Sequence, residues 1–139
     1  ATALNNRGVA HKIQKKLDHA LSDYNRAILL NPKYAIAYNN RGNVHLDRGD
    51  VDSAISDYNL AIQFNADYAS AYFNRGLAYE RKSNGERALD DFRKAAALDP
   101  SLSGATRGIA RLGGTPNAEK PVADIFDDTP QSALQSLPR

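Results

Sequence analysis

The side chains whose types and spacing could do chemistry fall into three sets. They are the imidazoles His11, His19 and His45, the amides Asn5, Asn6, Asn39, Asn40, Asn43 and Asn74, and the charges Arg7, Arg41, Arg75, Asp23, Asp57 and Asp91. An imidazole can serve as a general base or a metal ligand. Either role needs company, and no carboxylate recurs at ligand spacing in the sequence beside His11 or its equivalent His45. An HExxH pair, a nucleophile elbow and a glycine-rich phosphate loop are all absent. Cys is absent too, which removes thiolate chemistry and disulfides. The expectation is a protein with no catalytic residue, no metal and no cofactor, whose imidazoles are packed side chains.

The amides and charges carry a different chemistry. An Asn side chain offers both a donor and an acceptor, so it can hold the backbone of an extended peptide whatever that peptide's sequence. Asn6, Asn40 and Asn74 are spaced 34 residues apart, with Asn5 and Asn39 beside them and Asn43 one turn on. Arg7, Arg41 and Arg75 keep the same interval, and each is followed 16 residues later by an aspartate, Asp23, Asp57 or Asp91. One Arg-Asp ion pair per unit is expected, the alternative being two solvated charges. Such a pair contributes less than ~1 kcal/mol if exposed; removing one partner costs more if the site is dry.

A constant interval of this length implies repeated units stacked into a solenoid. Asn5-Asn6-Arg7-Gly8, Asn39-Asn40-Arg41-Gly42 and Phe73-Asn74-Arg75-Gly76 mark the copies. Around them the first copy carries Leu4, His11, Ala20, Tyr24, Ala27 and Pro32. The second carries Tyr38, His45, Ala54, Tyr58 and Ala61, and the third Tyr72, Tyr79, Ala88, Phe92, Ala95 and Pro100. This pattern resembles the tetratricopeptide repeat, over residues 1–102. It departs from the family in having Arg before the glycine in every copy, His at two aromatic places and Ala66 where Pro is usual. The resemblance implies an all-α, right-handed α-solenoid of three helix-turn-helix repeats over 1–34, 35–68 and 69–102. A capping helix over 103–112 and an acidic, Pro-containing tail over 113–139 follow.

The residue pattern supports two helices per unit. At 100° per residue Tyr38, Gly42 and His45 share one stripe, with Ala37 and Val44 beside it, while Ile36, Asn39, Asn40, Asn43 and Asp47 gather opposite. Ala54, Ile55, Tyr58, Ala61 and Ile62 form one face of the second helix. Gly49 suits the turn between them and Asp50 suits a cap; Lys15-Lys16 in the first copy is a weaker break. Leu102, Ala105, Ile109 and Leu112 space a terminal helix that covers the third unit, and Gly113-Gly114 stops it. In the tail, Val122, Ile125 and Phe126 sit among aspartates, and Thr129-Pro130 could open a short helix through Leu137.

Charge bounds the partners. Residues 1–112 carry sixteen Lys and Arg against twelve acids, while residues 113–139 carry two against four. That body is too weakly basic, and its cations too scattered, for nucleic acid. No apolar run reaches the length of a membrane span. The lack of Met at residue 1 is expected for a processed product or an excised fragment. The sequence does not assign a compartment, the expectation being the cytoplasm or, if an export signal was removed, the periplasm or cell exterior.

In the resembled family the first helices line a concave surface, which places the Asn ladder in a groove. There Ile36, Phe73 and Leu77 supply apolar pockets, and Lys12, Asp47, Glu80 and Arg81 select charge. Relatives that hold a carboxyl-terminal acid use a clamp of Lys, Asn and Arg. The matching places here are Asn5, Val9, Asn40, Ser70 and Asn74, of which only Asn40 fits. The expected function is a non-catalytic interaction module that binds an extended protein or peptide segment. The alternative is a self-associating array whose tail docks on its own groove or a neighbouring copy's.

Overall fold

A computed structural model describes residues 1–114. They form seven helices in chain order: α1 (Thr2–Ile13), α2 (Leu17–Leu30), α3 (Ala35–Asp47), α4 (Val51–Phe64), α5 (Ala69–Arg81), α6 (Gly85–Leu98) and α7 (Ser103–Arg111). The expected tail cluster at Val122, Ile125 and Phe126, the Thr129-Pro130 helix start and any docking of the tail lie outside the described residues.

Helices pair as α1 with α2, α3 with α4 and α5 with α6, and α7 covers α6. The first helices also touch one another, α1 on α3 and α3 on α5, whereas no second helix makes a comparable contact with another second helix. Crowding along one row and separation along the other bends the stack, with the first helices on its inner side. The result is an all-α solenoid of three hairpins and a capping helix.

Each hairpin closes on an aromatic ring. Tyr24, Tyr58 and Phe92 are fully buried, flanked by Ala20 and Ala27, Ala54 and Ala61, or Ala88 and Ala95, which are equally buried. The small residue facing each ring is Gly8, Gly42 or Gly76, each of which brings its backbone onto the ring edge. α7 repeats the device, with Gly108 against Phe92 and Gly104 against Phe73. Ala105 and Ile109 are buried beneath it.

The turn inside each hairpin uses one left-handed residue at the same place, Lys15, Gly49 or Ser83. Lys15 is therefore no weaker break than Gly49; the fold imposes the conformation, and a non-glycine residue there carries a strain of about 1 kcal/mol. Asp50 makes no side-chain cap bond, whereas Asn84 accepts from the Arg87 amide. Between hairpins the helix ends on Asn31, Asn65 or Asp99 in extended backbone. Each of these side chains accepts from the amide two residues on, at 3.2, 3.1 and 3.0 Å respectively. This Asx turn forms at all three junctions, so Ala66 in place of Pro does not loosen the second.

Candidate functional site

The first-helix row divides into buried amides and open ones. Asn5 and Asn39 are each 4% exposed. Asn40 Nδ2 donates to Asn5 Oδ1 at 3.0 Å, and Asn74 Nδ2 donates to Asn39 Oδ1 at the same distance. Asn39 Nδ2 in turn donates to the Tyr68 hydroxyl at 3.2 Å. Asn5 and Asn39, expected on an open groove face, therefore fasten one hairpin to the next. The reason lies in packing: α3 is contacted by α1, α2, α4 and α5, so its buried surface wraps well beyond a single stripe. Asn6 is exposed, and Asn40 and Asn74 are half-buried. The Asn40 and Asn74 Oδ1 atoms accept no hydrogen bond from the described residues.

The other expected groove residues separate in the same way. Asn43 Oδ1 accepts from the Tyr58 hydroxyl at 2.7 Å. Val9 packs on Tyr24 and Val44, and Leu77 packs into the cores of the second and third hairpins. Phe73 lies 5.8 Å from the Phe92 ring, centroid to centroid, and meets Gly104 of the capping helix. These four are half-buried parts of the frame and not open pockets. Lys12 Nζ stands 3.7 Å from Asp47 Oδ2, which ties the first hairpin to the second. Arg81 Nη1 donates to the Leu46 carbonyl at 2.7 Å, and Arg111 pairs with Glu80. Ile36, 44% exposed, and Ser70 remain open on the same row.

Each Arg meets its Asp through two parallel bonds. Arg41 Nε and Nη2 donate to Asp57 at 2.8 and 2.7 Å, and Arg75 holds Asp91 at the same two distances. Arg7 holds Asp23 at 2.8 and 2.6 Å. The third guanidinium nitrogen reaches back one hairpin: Arg41 Nη1 donates to Asn25 Oδ1 at 3.0 Å and Arg75 Nη1 to Asn59 Oδ1 at 2.9 Å. Asn25 and Asn59 recur at the repeat interval, so the signal was present in the sequence. The Arg7 hydrogen bonds hold Asp23 below the usual carboxylate range. Burial pushes Asp91 above it, outweighing the Arg75 bonds.

His11 and His45 each place Nε2 at 3.6 Å from the same aspartate, Asp23 or Asp57. The carboxylate missing from the local sequence is thus supplied by the second helix of the hairpin, 12 residues away. Each aspartate is already gripped on both oxygens by Arg. Among the described residues no set of three side chains could hold a metal. No described helix is long and apolar enough to cross a membrane.

Comparison with known proteins identifies the repeat. Sequence profiles described as tetratricopeptide repeat match residues 1–34, 69–102 and 23–56, and one described as TPR repeat matches residues 42–83. The chain belongs to the tetratricopeptide repeat family. It is 50% identical over 38 residues to human tetratricopeptide repeat protein 6, a match that spans 27% of this chain and 7% of that protein. The TPR domain of Arabidopsis OM64 superposes with a TM-score of 0.78 at 29% identity, over 81% of this chain and 93% of that one. The first TPR domain of Spaghetti (RPAP3), bound to the HSP90 peptide SRMEEVD, superposes with a TM-score of 0.77 at 27% identity, over 81% of this chain and 89% of that one. The tetratricopeptide fold is a non-catalytic interaction scaffold.

Proposed function

We propose that this tetratricopeptide array is a protein-interaction module that holds an extended peptide segment along its inner row of first helices. One observation carries the reading: Asn6, Asn40 and Asn74 stand in register, one per repeat, and the Asn40 and Asn74 oxygens accept nothing from the described residues. Those oxygens are suited to peptide backbone amides, while the same side chains' donors are engaged with the neighbouring repeat. Ile36 and Ser70 flank the row as open surface.

The partner is an internal segment and not a chain terminus. A terminal carboxylate calls for clustered cations. The clamp places carry Asn5, Val9, Asn40, Ser70 and Asn74, none of them charged, and Asn5 is buried. The likeness to the RPAP3 domain supports the groove but does not carry over its acidic peptide ligand. Cations such as Lys12, paired with Asp47, and Arg111, paired with Glu80, are engaged within the array and do not form a basic patch suited to nucleic acid.

A displayed library of random twelve-residue peptides tests the reading. Wild-type protein is expected to enrich binders that Ile36→Asp and Ser70→Glu lose, with helicity unchanged in both variants because these side chains are exposed. The peptide SRMEEVD is expected to bind neither form. Binders that ignore both substitutions would remove the groove as the site; tight binding of SRMEEVD would remove the internal-segment reading.

A further inference from the structure

The turns inside the three hairpins are built alike but differ in chemistry. The left-handed residue Lys15, Gly49 or Ser83 is followed by Lys16, Asp50 or Asn84 at the helix cap, and then by Leu17, Val51 or Gly85 as the first residue of the second helix. Asn84-Gly85 is the one Asn-Gly step in the 139-residue sequence. This dipeptide is reactive in a way its counterparts are not. A backbone nitrogen can attack the side-chain carbonyl of the asparagine before it, and the missing β-carbon of glycine leaves that approach uncrowded.

The fold leaves both reacting groups within reach. The Gly85 amide occupies the first position of α6, where a helix N–H has no intrahelical partner, and it donates to no described residue. At the matching place in the second hairpin the Val51 amide donates to the Gly49 carbonyl at 3.0 Å. The half-buried Asn84 side chain is held at Oδ1, which accepts from the Arg87 amide at 3.2 Å. Neither space nor backbone requires glycine at 85. A β-carbon there would meet Leu112 Cδ2 of α7 at 3.8 Å, an ordinary contact, and the residue is outside the left-handed region. Asn65, the other turn asparagine before a small residue, is followed by Ala66, whose methyl group crowds the attack.

We propose that Asn84 is a site of spontaneous deamidation in the folded protein, with water as the co-reactant. The Gly85 nitrogen gives its proton to hydroxide and bonds to Asn84 Cγ; the Cγ–Nδ2 bond breaks, and ammonia leaves with a proton from solvent. Water then opens the five-membered imide at one of two bonds, and nothing is oxidised or reduced. Opening at Cγ restores the ordinary backbone and gives aspartate. Opening at the main-chain carbonyl gives isoaspartate, whose backbone runs through the former side chain and is one methylene longer. The aspartate keeps a cap acceptor and sets a carboxylate at the positive end of α6, as Asp50 does for α4. The isoaspartate withdraws the cap and lengthens the turn beside Leu112, which loosens α7 from α6.

The test holds the folded full chain in mildly alkaline buffer at physiological temperature and follows it by peptide mass spectrometry. Asn84 is expected to be the first asparagine to show the mass gain of NH2 replaced by OH, in two products of equal mass that separate on chromatography. Gly85→Ala, whose methyl the site accommodates, is expected to keep its Asn84 amide over the same period. Amides in α7 and the first turn of α6 should exchange at least about tenfold faster in the isoaspartate product than in the aspartate one. Earlier conversion of another asparagine, conversion of Gly85→Ala as fast as wild type, or conversion confined to chain unfolded in urea would overturn the proposal. So would equal exchange in the two products, since the turn would then not govern the seating of α7.

Discussion

A β-carbon built on Gly42 would lie 2.7 Å from Tyr58 Cε1. Real carbon atoms do not approach so closely, and the ring cannot retreat because Tyr58 is fully buried. Gly42→Ala is expected to cost about 1–3 kcal/mol through overpacking, read as a shift in urea midpoint at constant slope. Tyr58→Leu should absorb part of that penalty in the double variant. A Gly42→Ala protein within about 0.5 kcal/mol of wild type would mean the hairpin opens more easily than its geometry implies.

The ring hydroxyls separate two superficially equal tyrosines. Tyr58 donates to Asn43, but the place equivalent to Asn43 in the first hairpin is Val9, and the buried Tyr24 hydroxyl has no partner among the described residues. Burial pushes the Tyr24 phenol up to about 12. Tyr58→Phe is expected to lose about 1 kcal/mol, whereas Tyr24→Phe costs nothing or stabilises. Equal losses at both places would contradict the assignment. The third hairpin already has the matched apolar solution, Phe92 with Leu77.

Asn39 ties α3 to α5 through Asn74 and to the turn ahead of α5 through Tyr68. Asn39→Ala should destabilise by about 1–3 kcal/mol, because it leaves buried polar groups unpaired. Its effect should be non-additive with Asn74→Ala. Simple additivity in a double-mutant cycle would show that the amide relay does not hold the second hairpin to the third.

Arg41→Leu leaves the buried Asp57 carboxylate without its guanidinium, at a cost of about 3–5 kcal/mol. Replacing both residues with apolar ones should cost less than that single change. Arg7→Leu should be milder, because the Arg7 side chain is mostly in solvent. Equal penalties at residues 7 and 41 would show that burial does not govern the pair.

Two of the aspartates should leave opposite marks on acid stability. Asp23 is held below the ordinary value of 3.8, so the unfolded chain takes up its proton first as pH falls. Its stabilisation is complete above that value and is lost as pH drops through it toward the folded-state pKa. Asp91 is raised above 3.8, so its native state binds the proton more readily and acidification adds stability from this group. Urea unfolding between pH 3 and pH 6, a range of about one to two units around that value, should give a shallower acid loss for Asp23→Asn. Asp91→Asn should give a steeper one. The reverse order would refute the assigned directions.

Periodicity carried much of this fold because aromatic, glycine and alanine places recur at one interval, but the interval alone did not show that Gly42 faces the Tyr58 ring. The Arg-Asp partners were legible because they recur together. The fate of each Asn was not. A projection of α3 alone treats the side opposite Tyr38 as solvent, yet α1 and α5 lie against it and enclose Asn39. Asn39 and Asn40 are adjacent and chemically identical, and only the neighbouring helices distinguish a fastening from an open acceptor. The Asp beside His45 was likewise hidden by the intervening turn, since its nearness is created by the hairpin closing.

The two ends of the described array are closed to different degrees. By laying Gly104 and Gly108 over the rings of Phe73 and Phe92, α7 shuts one end as a keystone shuts an arch. The other end keeps its mortar exposed in Arg7, Ile13 and Leu30. A force or a protease working inward should therefore peel the described hairpins from that more exposed side first, and the side under α7 should be the last to let go.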